Sequence, residues 1–234
     1  MLTNKNIIVT GSSSGIGLSI ANALLNNNVN VIGISRRKPN LSNKNYIHFE
    51  FDLSKIESEY EKLKNFLDEK QIDGLISNAG SGKLESLENF SPKQILNFVN
   101  LNLNSHIMMT RLLLPRFKKN KCGFLIFIGS EASYEVGKYG SIYSACKFGL
   151  RGFVKSVRIE TSFKNIKVTQ INPGIVKTPF YKNLKISPGK EYDEFIEPND
   201  IANIIIDVLK MRGGTVIDEI NLTSQKRVIN FKST

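Results

Sequence analysis

The chain has 234 residues, 41% hydrophobic and 23% charged, which is enough apolar material for one sizeable core and fits one domain better than two. The formal net charge is +11, yet the basic residues come as singles and pairs, often beside acids, with no zinc-finger or glycine-aromatic RNA-binding pattern; no nucleic-acid partner is expected. No apolar run approaches the ~20 residues that span a bilayer, the first residues lack a signal-peptide pattern, and Cys122 and Cys146 have no CxxC or metal-type spacing, so the expectation is a cytoplasmic protein with reduced thiols, no membrane partner and no metal.

In chain order, strands alternate with helices. Asn6–Thr10 is a short β-branched run suited to a buried parallel strand. A Gly/Ser-rich turn leads into a helix over Ile16–Asn27, then strands over Val29–Ser35 and Ile47–Phe51. Ile56–Glu69 has helical periodicity with its charges outward. Leu75–Ser77 is a fourth strand, and Pro92–Phe117 reads as one long helix. Gly123–Gly129 is a fifth strand, Ser141–Phe163 a long helix, Lys167–Ile171 a sixth strand and Pro198–Lys210 a late helix. Gly213–Leu222 ends the core, followed by a basic polar tail. Such alternation implies an α/β fold: a doubly wound, Rossmann-like parallel sheet covered on both faces, one domain over residues 1–234.

Two constellations carry chemistry. Thr10-Gly11-Ser12-Ser13-Ser14-Gly15-Ile16-Gly17 joins the first strand to the first helix. Glycines there permit tight turns and close backbone approach, and a helix N-terminus offers unpaired N–H groups to a pyrophosphate. The second is Tyr143-Ser-Ala-Cys-Lys147, with Ser130 upstream. On a helix, residues four apart share a face, so a phenol would sit about one turn from an ammonium. A nearby cation favours the phenolate and lowers the phenol pKa, one route to an acid and base that works near neutrality.

With Asn78-Ala79-Gly80 between these motifs and Pro173-Gly174 after them, the chain resembles the short-chain dehydrogenase/reductase family over roughly residues 5–210. That resemblance implies an NADPH-dependent oxidoreductase that reduces a carbonyl to an alcohol, or runs the reverse. It implies Tyr143 as proton donor, Ser130 on the substrate oxygen, Lys147 lowering the tyrosine pKa and holding the nicotinamide ribose, and Asn102 completing a proton relay. Asn100 and Asn104 flank Asn102 at alternate positions; Thr110, eight residues on, selects Asn102, and the neighbours stay open as alternatives. Ser133 is an alternative to Ser130, while Tyr134 and Tyr139 have no lysine four residues later. For the cofactor, the resemblance points to Gly11, Ser13, Ser14, Gly15, Ile16, Gly17, Asn78, Ala79, Gly80, Pro173 and Gly174. The backbone at Ile175 would meet the carboxamide, with Thr178 on the carboxamide or pyrophosphate. The second strand ends Ser35-Arg36-Arg37 with no carboxylate; Arg36, helped by Arg37, is the expected seat of an adenosine 2′-phosphate, which a guanidinium fork can meet. Asp52 would lie near the adenine or cap the following helix.

Substrate contacts are expected from residues 81–90, 131–140 and 180–197, the last a lid. Glu131 would select a polar substrate or face solvent. The family's closing GQ…DGG segment is missing, which argues against a 3-oxoacyl-carrier-protein reductase within the family. A small-molecule carbonyl or alcohol is the expected partner, and the long helices imply a homodimer or homotetramer. The alternative is a non-catalytic NADP(H)-binding sensor or scaffold; an intact Asn-Ser-Tyr-Lys set argues against it.

Overall fold

The computed structural model describes residues 2–232; Met1, Ser233 and Thr234, at the ends of the expected 1–234 unit, lie outside the described residues. Seven parallel strands form the central sheet: β1 (Asn6–Thr10), β2 (Asn30–Ser35), β3 (Tyr46–Glu50), β4 (Gly74–Ser77), β5 (Gly123–Ile128), β6 (Ile166–Pro173) and β8 (Glu219–Leu222), in the order β3-β2-β1-β4-β5-β6-β8. The order runs outward in both directions from the β1/β4 boundary, so a crevice opens there at the carboxyl ends of the strands.

The helices are α1 (Gly15–Asn26), α2 (Tyr60–Asp68), α3 (Pro92–Val99), α4 (Ser105–Asn120), α5 (Ser141–Thr161) and α6 (Pro198–Lys210). The sheet's β-branched and leucine side chains are buried on both faces. On one, Ile8, Leu75 and Leu125 pack with Leu113 of α4 and Leu150 of α5. On the other, Ile7, Val9 and Ile126 pack with Ile20 of α1 and Ile205 of α6. Burial on two faces is why these strands read as apolar runs rather than as alternating patterns.

Two sequence expectations about helices are corrected, and two C-terminal segments gain strands that the sequence did not announce. The single helix over Pro92–Phe117 is divided by a π turn at Asn100–Asn104, because the Asn102 side-chain amide donates to the Phe98 carbonyl at 3.0 Å and competes with the backbone ladder. The helix expected from Ile56 begins at Tyr60; before it, Asp52 accepts from the Ser54 N–H at 3.0 Å and starts a 3₁₀ turn over Leu53–Lys55. The segment closing the core holds a seventh parallel strand, β8, paired to β6 from Gln170↔Glu219 to Pro173↔Leu222. The basic polar tail contains a strand: β9 (Ile229–Phe231) pairs antiparallel with β7 (Ile186–Pro188) in a separate two-stranded sheet.

Among the described residues, no helix is long and apolar enough to cross a membrane, and no cluster of His, Cys, Asp or Glu could hold a metal ion.

Candidate active site

A cleft of about 420 Å³ runs along the carboxyl ends of the strands, from Arg36 and Arg37 at one end to Ser130 and Tyr143 at the other. The glycine turn forms its floor. Gly11 and Gly15 have φ of +68° and +54°, a region that L side chains rarely adopt. Ser14 precedes α1 in extended conformation and no side chain caps the helix, so its first N–H groups are left for an anion in the cleft. Gly17 does not line the cleft. A Cβ there would lie 2.2 Å from the Gly11 carbonyl oxygen, so this glycine lets the helix pack against the turn.

The Asn78–Gly80 segment is tied to β1. Thr10 Oγ1 accepts from the N–H groups of Asn78 at 2.8 Å and Ala79 at 3.0 Å, while Asn78 Nδ2 donates to the Thr10 carbonyl at 2.9 Å. Ser35 Oγ donates to the Arg37 carbonyl at 2.8 Å, which curls the strand end so that both arginines border the cleft. Asp52 lines the cleft and caps the 3₁₀ turn Leu53–Lys55 rather than the following helix α2, which starts at Tyr60.

Asn102 is completely buried at the centre of the π turn and reaches the cleft wall, its Oδ1 accepting from the Ser81 N–H at 3.0 Å. Asn100 and Asn104 instead bond to each other at 2.8 Å and do not line the cleft. Ser130 follows β5 and lies in the cleft with Tyr143 and Lys147 of α5. Ser133 is scaffolding: it is fully buried and its hydroxyl sits 2.6 Å from the Ser130 carbonyl oxygen and 3.0 Å from Asn172 Oδ1. Tyr134 and Tyr139 stand outside the cleft.

The electrostatics differ from the simple tyrosine–lysine pair. Burial pushes the Tyr143 phenol up to about 12, opposed by the nearby Ser130 hydroxyl and reinforced by the Glu131 carboxylate. Tyr143 is itself only partly buried and lines the cleft. Lys147 is only 4% exposed, its Nζ donates to the Ile128 carbonyl at 3.2 Å, and burial brings it down to about 8. Its Nζ stands 5.7 Å from the centre of the Tyr143 ring, and the group that lowers the phenol here is Ser130 rather than Lys147. Beneath them, fully buried His106 holds Ser77 Oγ at 2.7 Å through Nδ1, and its Nε2 has no partner among the described residues. Burial, with Lys147 adding, takes His106 down to about 3, so it is neutral.

After β6, the structure places Val176 rather than Ile175 in the cleft. A parallel bridge joins Val176 to Ile196, using the Ile175 carbonyl (2.8 Å from the Ile196 N–H) and the Lys177 N–H (2.9 Å from the Ile196 carbonyl). Bridged residues leave their own N–H and C=O on the other side, so those of Val176 point away from Ile196. Thr178 lies there too, packed so closely on Gly15 that a Cβ on that glycine would come 3.2 Å from the threonine side chain. The Thr178 hydroxyl is 3.3 Å from the Val176 carbonyl. Phe180 and Tyr181 close the substrate end: the Phe180 ring centre is 6.3 Å from that of Tyr143. Burial pushes the Tyr181 phenol above its ordinary value, with Tyr143 adding.

Glu131 takes neither expected orientation. Its carboxylate turns away from the cleft toward the C-terminal segment, 3.3 Å from Arg227. Besides Val176, sequence reading missed the walls Phe51 and Leu53, while Phe180 and Tyr181 fall within the expected 180–197 segment without having been singled out. Their only signal was position, just past strand ends and within the expected lid.

A family model described as short chain dehydrogenase matches residues 5–188. A 3-oxoacyl-[acyl-carrier-protein] reductase of Buchnera aphidicola subsp. Schizaphis graminum is 35% identical over 219 residues, 88% of this chain and 89% of that protein. A 2-dehydro-3-deoxy-D-gluconate 5-dehydrogenase of Bacillus subtilis is 30% identical over 200 residues, 82% of this chain and 79% of that protein. Among solved structures, an alcohol dehydrogenase from the archaeon Thermococcus sibiricus, complexed with 5-hydroxy-NADP, superposes with a TM-score of 0.82 at 25% identity, over 96% of this chain and 98% of that one.

Proposed function

The chain belongs to the short-chain dehydrogenase/reductase family of oxidoreductases acting with a nicotinamide cofactor, and we propose that it is an NADPH-dependent reductase of a small carbonyl compound. The observation that carries this reading is convergence: Asn102, Ser130, Tyr143 and Lys147 lie in the same cleft as the glycine turn and Arg36. The bound cofactor supplies the hydride.

The turn residues Gly11–Ile16 and the uncapped start of α1 suit the pyrophosphate, with Gly17 securing their packing. Arg36, with Arg37, would hold the 2′-phosphate, and Asp52, which lines the same end of the cleft, would serve the adenosine. Asn78, Ala79, Gly80, Pro173 and Gly174 line the path to the nicotinamide. The carboxamide seat assigned to Ile175 moves to Val176, which lines the cleft and whose backbone groups point away from Ile196.

Tyr143, held protonated by burial, gives its proton to the oxygen that becomes an alkoxide, and Ser130 donates a hydrogen bond to that oxygen. Lys147 is poised near physiological pH to return a proton toward Tyr143, and its ammonium would hold the ribose hydroxyls. Asn102, in its widened turn, positions the outer end of that relay. Residues 180–197 act as a lid, with Phe180 over the tyrosine.

A narrower reading is favoured by the names of the most similar relatives: the carbonyl is that of a 3-oxoacyl thioester. Exposed apolar side chains on α3 and α5 (Leu96, Phe148, Ile159) support assembly into a homodimer or homotetramer. The test is NADPH oxidation against a panel of carbonyls including a 3-oxoacyl thioester. Turnover should be found with at least one; cofactor binding without turnover on the whole panel would overturn the catalytic reading.

A further inference from the structure

We propose that residues 224–232 form a latch on the substrate lid, and that Arg227 and Lys232 are positioning residues for the carbonyl substrate. The proposal rests on the reading of residues 180–197 as a lid.

The segment joins two walls of the site that are far apart in the chain. At one end, Arg227 Nη2 lies 3.3 Å from Glu131 and 3.1 Å from Glu135, and Glu131 directly follows Ser130. Next to it, the Lys226 N–H donates to the Asp193 carbonyl at 2.8 Å and its ammonium meets the Asp193 carboxylate at 2.8 Å. β9 then runs along β7 in the register Ile186↔Phe231 to Pro188↔Ile229. At the far end, the Lys232 ammonium donates to the carbonyls of Tyr181 at 2.6 Å and Lys182 at 3.1 Å. These carbonyls end the 3₁₀ turn Pro179–Tyr181, where a cation suits the exposed C=O groups.

That turn carries Phe180, whose ring lies against Gly82 so closely that a Cβ there would come 2.5 Å from Cζ. Lys232 therefore holds the backbone that sets Phe180 above Tyr143. Arg227 fixes the latch to the loop that carries Ser130. Each tie is weak: the ion pairs of Lys226 and Arg227 are exposed, Phe231 is 82% exposed, and a lone two-stranded ribbon is marginal in water. Weak, separable ties suit a device that must release for substrate entry and reclose.

The test is the double variant Arg227→Met/Lys232→Met, whose side chains are exposed and whose loss should leave the fold intact. Three quantities are read: KM for the carbonyl at saturating NADPH, Kd for NADPH, and trypsin cleavage after Lys182, Lys185 and Lys190 by mass spectrometry. We expect KM to rise at least about fivefold with NADPH affinity within about twofold, and lid cleavage to accelerate at least about fivefold. The conservative pair Arg227→Lys/Lys232→Arg should restore most of both. Unchanged KM and unchanged lid cleavage would overturn the latch, as would NADPH affinity falling together with cleavage throughout the chain. If the wild-type protein turns over no carbonyl, the reductase reading fails on its own and lid cleavage alone decides the latch.

Discussion

Lys147→Met should stabilise the unliganded protein while abolishing turnover. Lys147 is almost fully buried, and burial brings its ammonium from 10.5 to about 8. At about 1.4 kcal/mol per unit, holding that charge inside at neutral pH costs roughly 3 kcal/mol. Methionine fills a similar volume without charge but leaves the Ile128 carbonyl without its donor, a loss of about 1 kcal/mol. The net expectation at pH 7 is a gain of about 2 kcal/mol, or roughly 4–8 °C in Tm for a chain of this size. The sign with pH follows from proton counting. Between about pH 8 and 10.5 the unfolded lysine is protonated and the folded one is not, so the wild-type protein gains stability as pH rises through that window. The advantage of the variant should therefore shrink from pH 8 upward and be gone near pH 10. Denaturant melts of both proteins without cofactor, at pH steps from 7 to 10, measure this. A variant less stable than wild type at pH 7, or a difference independent of pH, would refute a buried charged lysine.

Arg36→Ala should weaken NADPH binding by about ten- to a hundredfold while leaving NADH nearly unchanged, because a charge-assisted contact to phosphate is worth about 1.5–3 kcal/mol; equal losses for both cofactors, by fluorescence titration, would remove the arginine from the 2′-phosphate seat. Gly17→Ala places a Cβ 2.2 Å from the Gly11 carbonyl, a backbone atom that cannot swing aside. NADPH binding should be lost and the melting temperature lowered; retained affinity by calorimetry would contradict the packing described. Gly82→Ala meets the far ends of two side chains, Phe180 and Leu184, so the fold should persist and KM for the carbonyl should change at constant NADPH affinity; steady-state kinetics identical to wild type would show that Phe180 does not border the substrate.

What was legible in the sequence was local. The strand–turn–helix at Thr10–Gly17 announces itself because β-branched residues, glycines of forced conformation and a helical period follow one another without a gap. Tyr143 and Lys147 are one helical turn apart, so their shared cleft follows from spacing once α5 exists. The hidden parts depend on distant partners. Val176 rather than Ile175 faces the cleft because Ile196, twenty residues on, bridges that stretch of backbone. Glu131 turns from the cleft because Arg227 arrives 96 residues later. The tail could not be recognised as a strand because its three-residue ladder is meaningful only beside Ile186–Pro188. The break in the long helix needed knowledge of which of three asparagines takes the Phe98 carbonyl, a choice that packing makes.

The central claim is that Tyr143 is the proton donor to a carbonyl reduced in this cleft. Tyr143→Phe keeps the ring and removes only the hydroxyl that burial holds protonated, in the cleft it shares with Ser130. The decisive measurement is NADPH oxidation by wild type and Tyr143→Phe with the best carbonyl substrate, alongside NADPH titration of both. A fall in kcat of at least about a hundredfold, within the range of general acid catalysis, with NADPH still bound is the predicted result; equal rates in the two proteins would contradict the account.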